Sequence, residues 1–400
     1  MKYKKNIILD HFHTFFRSFN VTQAMWLIFL FNRGFNIFEI ALFEGIFHVA
    51  SVLFEIPTGA IADMFGRKTS RVIGVLFYFL YIALIISFDS FGLVALGFIF
   101  CSLSYVFESG AAEALVYDTL IELEKENKFM KFMGTKEVIF QVSGFLAMMI
   151  GGTIALLGYQ MNFYVTGGFF LVALFLILAM KEVPIHNQER LSIKEQVKKQ
   201  FIVSFKTVFQ NKRLFLLIIV GALMTAPITT VFFFYQNYFD SSGVPIYLIT
   251  IYIGLHSGAS AIGGVFASKL EKTFGERKIL FFIPLVMSVS FWLMLIPGFA
   301  LIPFIVLGTM DSIFYIVLVD YMNRMVSSEV RATVLSVFGM MFSIVMIIIF
   351  TLVGYIIENI GFEMGFFVLA VIVTVFYAIL LFILRNNHLD QDERIKIEQV

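Results

Sequence analysis

The chain has 400 residues, 60% of them apolar and 14% charged, against roughly 45–50% and about 25% in a soluble globular domain. So much apolar surface, 51 Phe included, cannot be hidden in one aqueous core, which makes this a polytopic membrane protein. The net charge of +1 leaves no basic field for nucleic acid, and the single cysteine, Cys101, excludes a disulfide framework and any cysteine-based metal site.

The N-terminus, Met1 to Lys5, is basic, but no small-residue cleavage site follows the first apolar stretch, so it reads as a retained tail. A membrane helix needs about 20 mostly apolar residues. Twelve such runs follow in order: 12–31, 37–62, 70–88, 91–113, 135–158, 162–180, 214–239, 246–268, 279–297, 301–322, 332–357 and 364–384. None alternates with the period of a barrel strand. The expected fold is all-helical: twelve transmembrane helices in two six-helix bundles, at 1–180 and 214–385, joined by 181–213 and followed by a tail at 386–400.

Lysine and arginine set the orientation. With the N-terminus in the cytoplasm, the basic residues of the tails and the even loops all fall inside. The second loop is assigned Arg67, Lys68 and Arg71. Only Arg33 falls outside, and only Arg17 falls within a span. Both termini are thus expected in the cytoplasm of a bacterial cell, the cell membrane crossed many times. In the connector, Ile193, Val197, Phe201, Phe205 and Val208 recur every three or four residues, with Lys194, Lys198, Lys199 and Lys206 mostly elsewhere around the helix. This describes an amphipathic helix on the inner leaflet, a tether between the halves.

The halves echo each other. Phe65-Gly66 after span 2 returns as Phe274-Gly275 after span 8, 209 residues later, and Asp118 ending span 4 returns as Asp320 ending span 10, 202 later. Duplicated halves place a substrate cavity between them, near the midplane.

The run Gly59-Ala60-Ile61-Ala62-Asp63-Met64-Phe65-Gly66-Arg67-Lys68 closely resembles the loop signature of the major facilitator superfamily. Glu55-Ile56-Pro57-Thr58-Gly59 and Arg331-Ala332-Thr333 are similar to its twelve-helix drug-exporter branch, whose members are drug:proton antiporters. The resemblance implies a gate: Asp63 docks at the start of span 11, near Ser327-Ser328-Glu329 and Arg331, with Arg67 and Asp118 completing the latch and Lys68 closing the motif. Gly59 and Gly66 permit close approach and a tight turn. Two of the branch's features are absent. No Lys or Arg lies between Arg71 and Lys125, and the helix 5 pattern survives only as Ser143-Gly144 to Gly151-Gly152 without its proline.

Ionisable residues inside spans are functional candidates, because each costs a few kcal/mol to bury in lipid. His13, Arg17 and Asn20 form one polar stripe on helix 1, a candidate cavity face that needs a carboxylate or an anionic ligand for Arg17. Glu55, Glu108, Glu113 and Asp311 are the candidate proton carriers, since a carboxyl in a dry cavity exchanges its proton nearer neutral pH. Glu108 and Asp311 lead, each well inside its span. Pro227 is expected to bend helix 7; beyond it, Tyr235 and Gln236 are plausible lining residues, and His256 is a plausible hydrogen-bonder. No phosphate loop or metalloprotease motif occurs, and no cofactor or metal site is expected. The sequence thus reads as a monomeric, proton-coupled exporter of amphipathic drug-like small molecules. A carrier for one metabolite, its anionic group clamped by Arg17 and His13, is the alternative, followed by a non-transporting sensor or scaffold.

Overall fold

A computed structural model describes residues 3–183, 208–296, 298–326 and 331–386. Long apolar runs leave the backbone no partner but itself, and helices follow. They are α1 (Lys4–Ser18), α2 (Trp26–Asn32), α3 (Ile37–Phe65), α4 (Arg67–Ser87), α5 (Phe91–Ile121), α6 (Phe129–Ala155) and α7 (Tyr159–Ala179). After the connector come α8 (Lys212–Ser241), α9 (Ile246–Phe274), α10 (Glu276–Leu293), α11 (Leu301–Arg324), α12 (Arg331–Ile360) and α13 (Phe362–Asn386). Ten helices among the described residues are long and apolar enough to cross a membrane.

Two expected spans take a different form. The run 12–31 is broken: α1 stops at Ser18, and α2 resumes at Trp26. The break is held by side chains. Asn20 Oδ1 accepts the Thr22 N–H at 3.0 Å, Asn162 Nδ2 donates to Val21 O at 3.1 Å, and Gln236 Nε2 donates to Gln23 O at 3.0 Å. The run 279–297 becomes α10, whose apolar part, Lys278–Leu293, is shorter than a span. The expected amphipathic helix lies outside the described residues apart from Val208, which is buried, as do Ser327 to Glu329 and most of the tail.

Local signals set the helix ends. Asn36 and Glu39 form a reciprocal capping box that opens α3. Asn211 accepts the Leu214 N–H to open α8. The echo between the halves is geometric as well. Gly66 (φ 100°) joins α3 to α4, and Gly275 (φ 75°) joins α9 to α10, each in a conformation that suits glycine.

The start of α1, the end of α13 and the described basic loops share one end of the molecule, here the basic end. At the opposite, far end, two antiparallel seams join the N-terminal helices to the C-terminal ones. Along the first, α3 meets α12: the Ile37 N–H donates to Glu358, Phe38 packs on Tyr355, and Gly354 lies against Ala41. Along the second, α6 meets α9: the Gly152 N–H donates to Thr250 Oγ1, Met149 packs on Gly254, and Phe145 packs on Gly258. Among the described residues, no hydrogen bond, ion pair or ring contact joins 49–65 of α3 to α12. The molecule is closed at the far end, and the seams do not extend to the basic end.

Candidate functional site

The expected gate residues meet within the N-terminal helices. Arg67 Nε lies 2.8 Å from Asp118 Oδ2, and Arg67 Nη2 lies 3.5 Å from Asp63 Oδ1. Arg331 is exposed, and no ion pair links it to Asp63 among the described residues. A partner that the sequence did not suggest completes the turn. The Glu182 carboxylate accepts the Arg67 and Lys68 backbone N–H groups at 2.9 and 3.1 Å, a negative charge on the N-terminus of α4. Lys68 Nζ donates to the carbonyls of Leu178 and Met180. Gly66 is required here by its φ, and a Cβ would also meet the movable Glu182 Oε2 at 2.7 Å. Gly66→Ala is expected to cost about 1–3 kcal/mol, the range for a strained backbone position. A lower unfolding temperature in detergent, seen in the Glu182→Ala background as well, checks this.

Arg71, which the basic-residue pattern places in a loop, is instead fully buried one turn into α4. Its guanidinium joins two helices: Nη1 donates to Asp10 Oδ1 of α1 at 2.7 Å, while Nη2 and Nε donate to Glu108 of α5 at 2.9 and 3.1 Å. Glu108 also faces His13 Nε2 at 3.3 Å and Arg17 Nε at 3.9 Å, and Asp10 faces Lys136 at 3.5 Å. His13 Nδ1 donates to Ala173 O, which fixes the ring and leaves Nε2 for Glu108. Arg17 donates to Ser104 O and lies over the Tyr105 ring at 5.2 Å, and Asn20 donates to the Tyr78 hydroxyl. His13 and Arg17 of α1 thus face a common carboxylate, whereas Asn20 lies beyond the end of α1, in the break. That carboxylate is Glu108, and Asp10 and Arg71 are members of the cluster that sequence reasoning missed.

The remaining candidates separate. Tyr235 is buried among the C-terminal helices, stacked on Phe304 at 4.9 Å, and Gln236 holds the break in helix 1. His256 donates from Nδ1 to Phe304 O at 2.7 Å and stacks on the same ring, so it serves α9–α11 packing. Pro227 lies inside a continuous α8. Glu55 accepts from Ser109 at 3.5 Å, and Glu113 is exposed. Asp311 is different: it lies mid-helix in α11, half-buried, with no ion pair among the described residues and with Oδ1 enclosed and lacking a hydrogen-bond partner. Tyr315, one turn on, is within electrostatic reach of Asp311 and also of Glu113 and Glu137 from the other half. Tyr315 is thus a side chain that carboxyl groups of both halves reach electrostatically. Two further ionisable residues, Glu44 and His48, lie buried on α3, four residues apart in an apolar run. That spacing was available in the sequence.

The model of the Major Facilitator Superfamily matches residues 11–348, and a second match covers 253–398. An uncharacterised MFS-type transporter of Bacillus subtilis (strain 168), YxaM, is 24% identical over 234 residues. That match spans 56% of this chain and 56% of the relative. Among solved structures, the nucleoside transporter NupG superposes with a TM-score of 0.77 at 15% identity, covering 96% of this chain and 98% of its own. A bacterial homologue of the human lysosomal transporter Spinster, solved inward-facing and unoccupied, gives a TM-score of 0.73 at 15% identity, covering 95% and 96%. These likenesses describe the fold.

Proposed function

Because the chain belongs to the Major Facilitator Superfamily, we propose that it is a secondary transporter exporting amphipathic, cationic small molecules in exchange for protons. In this reading the chain crosses the cell membrane twelve times as a monomer, with residues 1–180 and 214–385 as its moving halves. The basic end is cytoplasmic, so a structure sealed at the far end is the inward-open state. Substrate enters between the halves.

The observation that carries the reading is Asp311, a carboxyl on the C-terminal half without an ion pair among the described residues, its Oδ1 enclosed and without a hydrogen-bond partner. Carboxylates near aromatic rings suit an apolar cation, and a carboxyl free of fixed cations can take either proton or substrate. Coupling is assigned to Asp311 rather than Glu108, since Glu108 is gripped by Arg71 and His13. The same grip disfavours the metabolite reading: Arg17 already has a carboxylate 3.9 Å away and a carbonyl at 3.0 Å.

Purified protein in liposomes under an imposed pH gradient, with ethidium as the fluorescent cargo, tests the proposal. Wild type is expected to move the dye, and Asp311→Asn to fall to the rate of protein-free liposomes while remaining folded. Gradient-driven movement that persists in Asp311→Asn removes the coupling assignment. A folded wild type that moves no cationic dye favours the metabolite carrier.

A further inference from the structure

The α3–α12 seam ends, on its way toward the basic end, at a buried polar cluster that the transport reading does not use. His48 Nδ1 lies 3.1 Å from Ser343 Oγ of α12, and His48 Nε2 lies 3.5 Å from Glu44 Oε1 one turn back on α3. All three residues are under 9% exposed. Phe47 and Phe342 pack edge-on against the imidazole. This is the innermost point at which hydrogen bonds or ring contacts tie α3 to α12 among the described residues. Apart from Glu358, which accepts the Ile37 N–H at the outer end of the seam, it is the one place there where a group able to change charge is bonded across the halves among the described residues.

We propose that Glu44 and His48, closed by Ser343, form a proton-binding site that seals the far end when occupied. The proposal rests on the alternating-access reading but does not require that protons drive the cargo. With Glu44 ionised and His48 neutral, Nε2–H donates to Glu44, Nδ1 accepts from the Ser343 hydroxyl, and the pair carries one negative charge. One proton from far-side water, added at Nδ1, makes an imidazolium. Ser343 then accepts, and the pair becomes neutral overall. A neutral pair suits the dry seam, whereas the charged pair is stable where opened helices admit water. Occupancy therefore favours the sealed state, and sealing holds the proton until the site empties toward the cavity.

The surroundings are compatible. Cys101 and Tyr105 of α5 and Tyr81 of α4 lie within electrostatic reach of Glu44. Arg17 stands beyond Tyr105, over its ring. Among the described residues, α12 carries charge only at Arg331 and Glu358, at its two ends. No cation on α3 or α12 competes with His48 for Glu44.

Spin labels on Ser90→Cys and Ser242→Cys, exposed at the far end of the two halves, in a Cys101→Ala background, read the seal as a distance. Measured in nanodiscs from about pH 9 to about pH 5, a range that brackets ordinary histidine titration, wild type is expected to shift to the short distance. One linked proton changes the sealed-to-open ratio by at most about tenfold per pH unit. His48→Gln and Glu44→Gln are expected to abolish the shift. Ser343→Ala, which keeps both titratable groups, is expected to lower the sealed fraction and retain a pH response. A wild type that ignores pH overturns the proposal, as does a full response in either folded glutamine variant. Distance rather than flux is read, so a protein that moves no dye can still pass or fail this test.

Discussion

Replacing Arg71 by alanine is expected to destabilise the protein by about 3–5 kcal/mol, the range for deleting one partner of a buried ion pair. The guanidinium is the only group that touches both Asp10 and Glu108 among the described residues, and it is fully buried between them. Its loss strands Asp10 with Lys136 alone, at 3.5 Å, and leaves Glu108 to His13 and a more distant Arg17. Lysine in place of the arginine keeps the charge but cannot bond both carboxylates through a planar fork. Arg71→Lys should therefore recover part of the loss. The triple variant Asp10→Asn, Arg71→Met, Glu108→Gln should recover more, because it removes the stranded charges together. Unfolding temperature in detergent, with size-exclusion profiles, gives the ranking. Equal stability of wild type and Arg71→Ala would falsify the network as a structural element.

The second large effect is conformational. At Gly152 a Cβ would run into Thr250 Oγ1 and would meet Tyr247 Cα at 2.7 Å and Ile246 O at 2.8 Å. Two of those atoms are backbone, so rotamer changes cannot relieve the contact. Gly152→Leu forces the α6–α9 seam apart. Overpacking typically costs about 1–3 kcal/mol, and in a two-state protein that energy falls on the state containing the seam. The sealed-to-open ratio should then fall by roughly 5–150-fold. Unlike Arg71→Ala, this variant should fold normally, since α6 and α9 each keep their packing within their own half. Thiol labelling at Met148→Cys, buried beside Ser257 at the seam, is expected to be slow in the parent and fast with Gly152→Leu. Slow labelling in both would show that the seam does not open.

These two sites differ in how far the sequence revealed them. Ten of the spans were legible because burial in lipid is written in apolar run length alone. The Asp63–Arg67 pair was legible because its motif is local, whereas Asp118, on α5, entered only through the family resemblance. Arg71 was misplaced for a physical reason. Four residues from Arg67, it looks like one more loop cation, and only its pairing with Asp10 and Glu108, 61 and 37 residues away, pulls it inside. The break in helix 1 carries no glycine or proline between Phe19 and Met25. Asn162 and Gln236, from distant helices, supply bonds to the Val21 and Gln23 carbonyls in the break. Glu182 likewise finds the Gly66 turn only after the chain has returned through α5, α6 and α7. Glu44 and His48 needed no tertiary information, only attention to a four-residue spacing within an apolar helix.

The charge pairing of α1 has a consequence for biogenesis. The segment bearing Asp10, His13 and Arg17 is not among the helices apolar enough to enter lipid by themselves. Its cation arrives with α4 and its second carboxylate with α5, roughly a hundred residues later in synthesis. The ribosome therefore delivers the first helix before anything exists to neutralise it. Its entry into the bilayer is expected to wait for α4 and α5, and a chain truncated before Glu108 should leave it on the translocon or at the membrane surface.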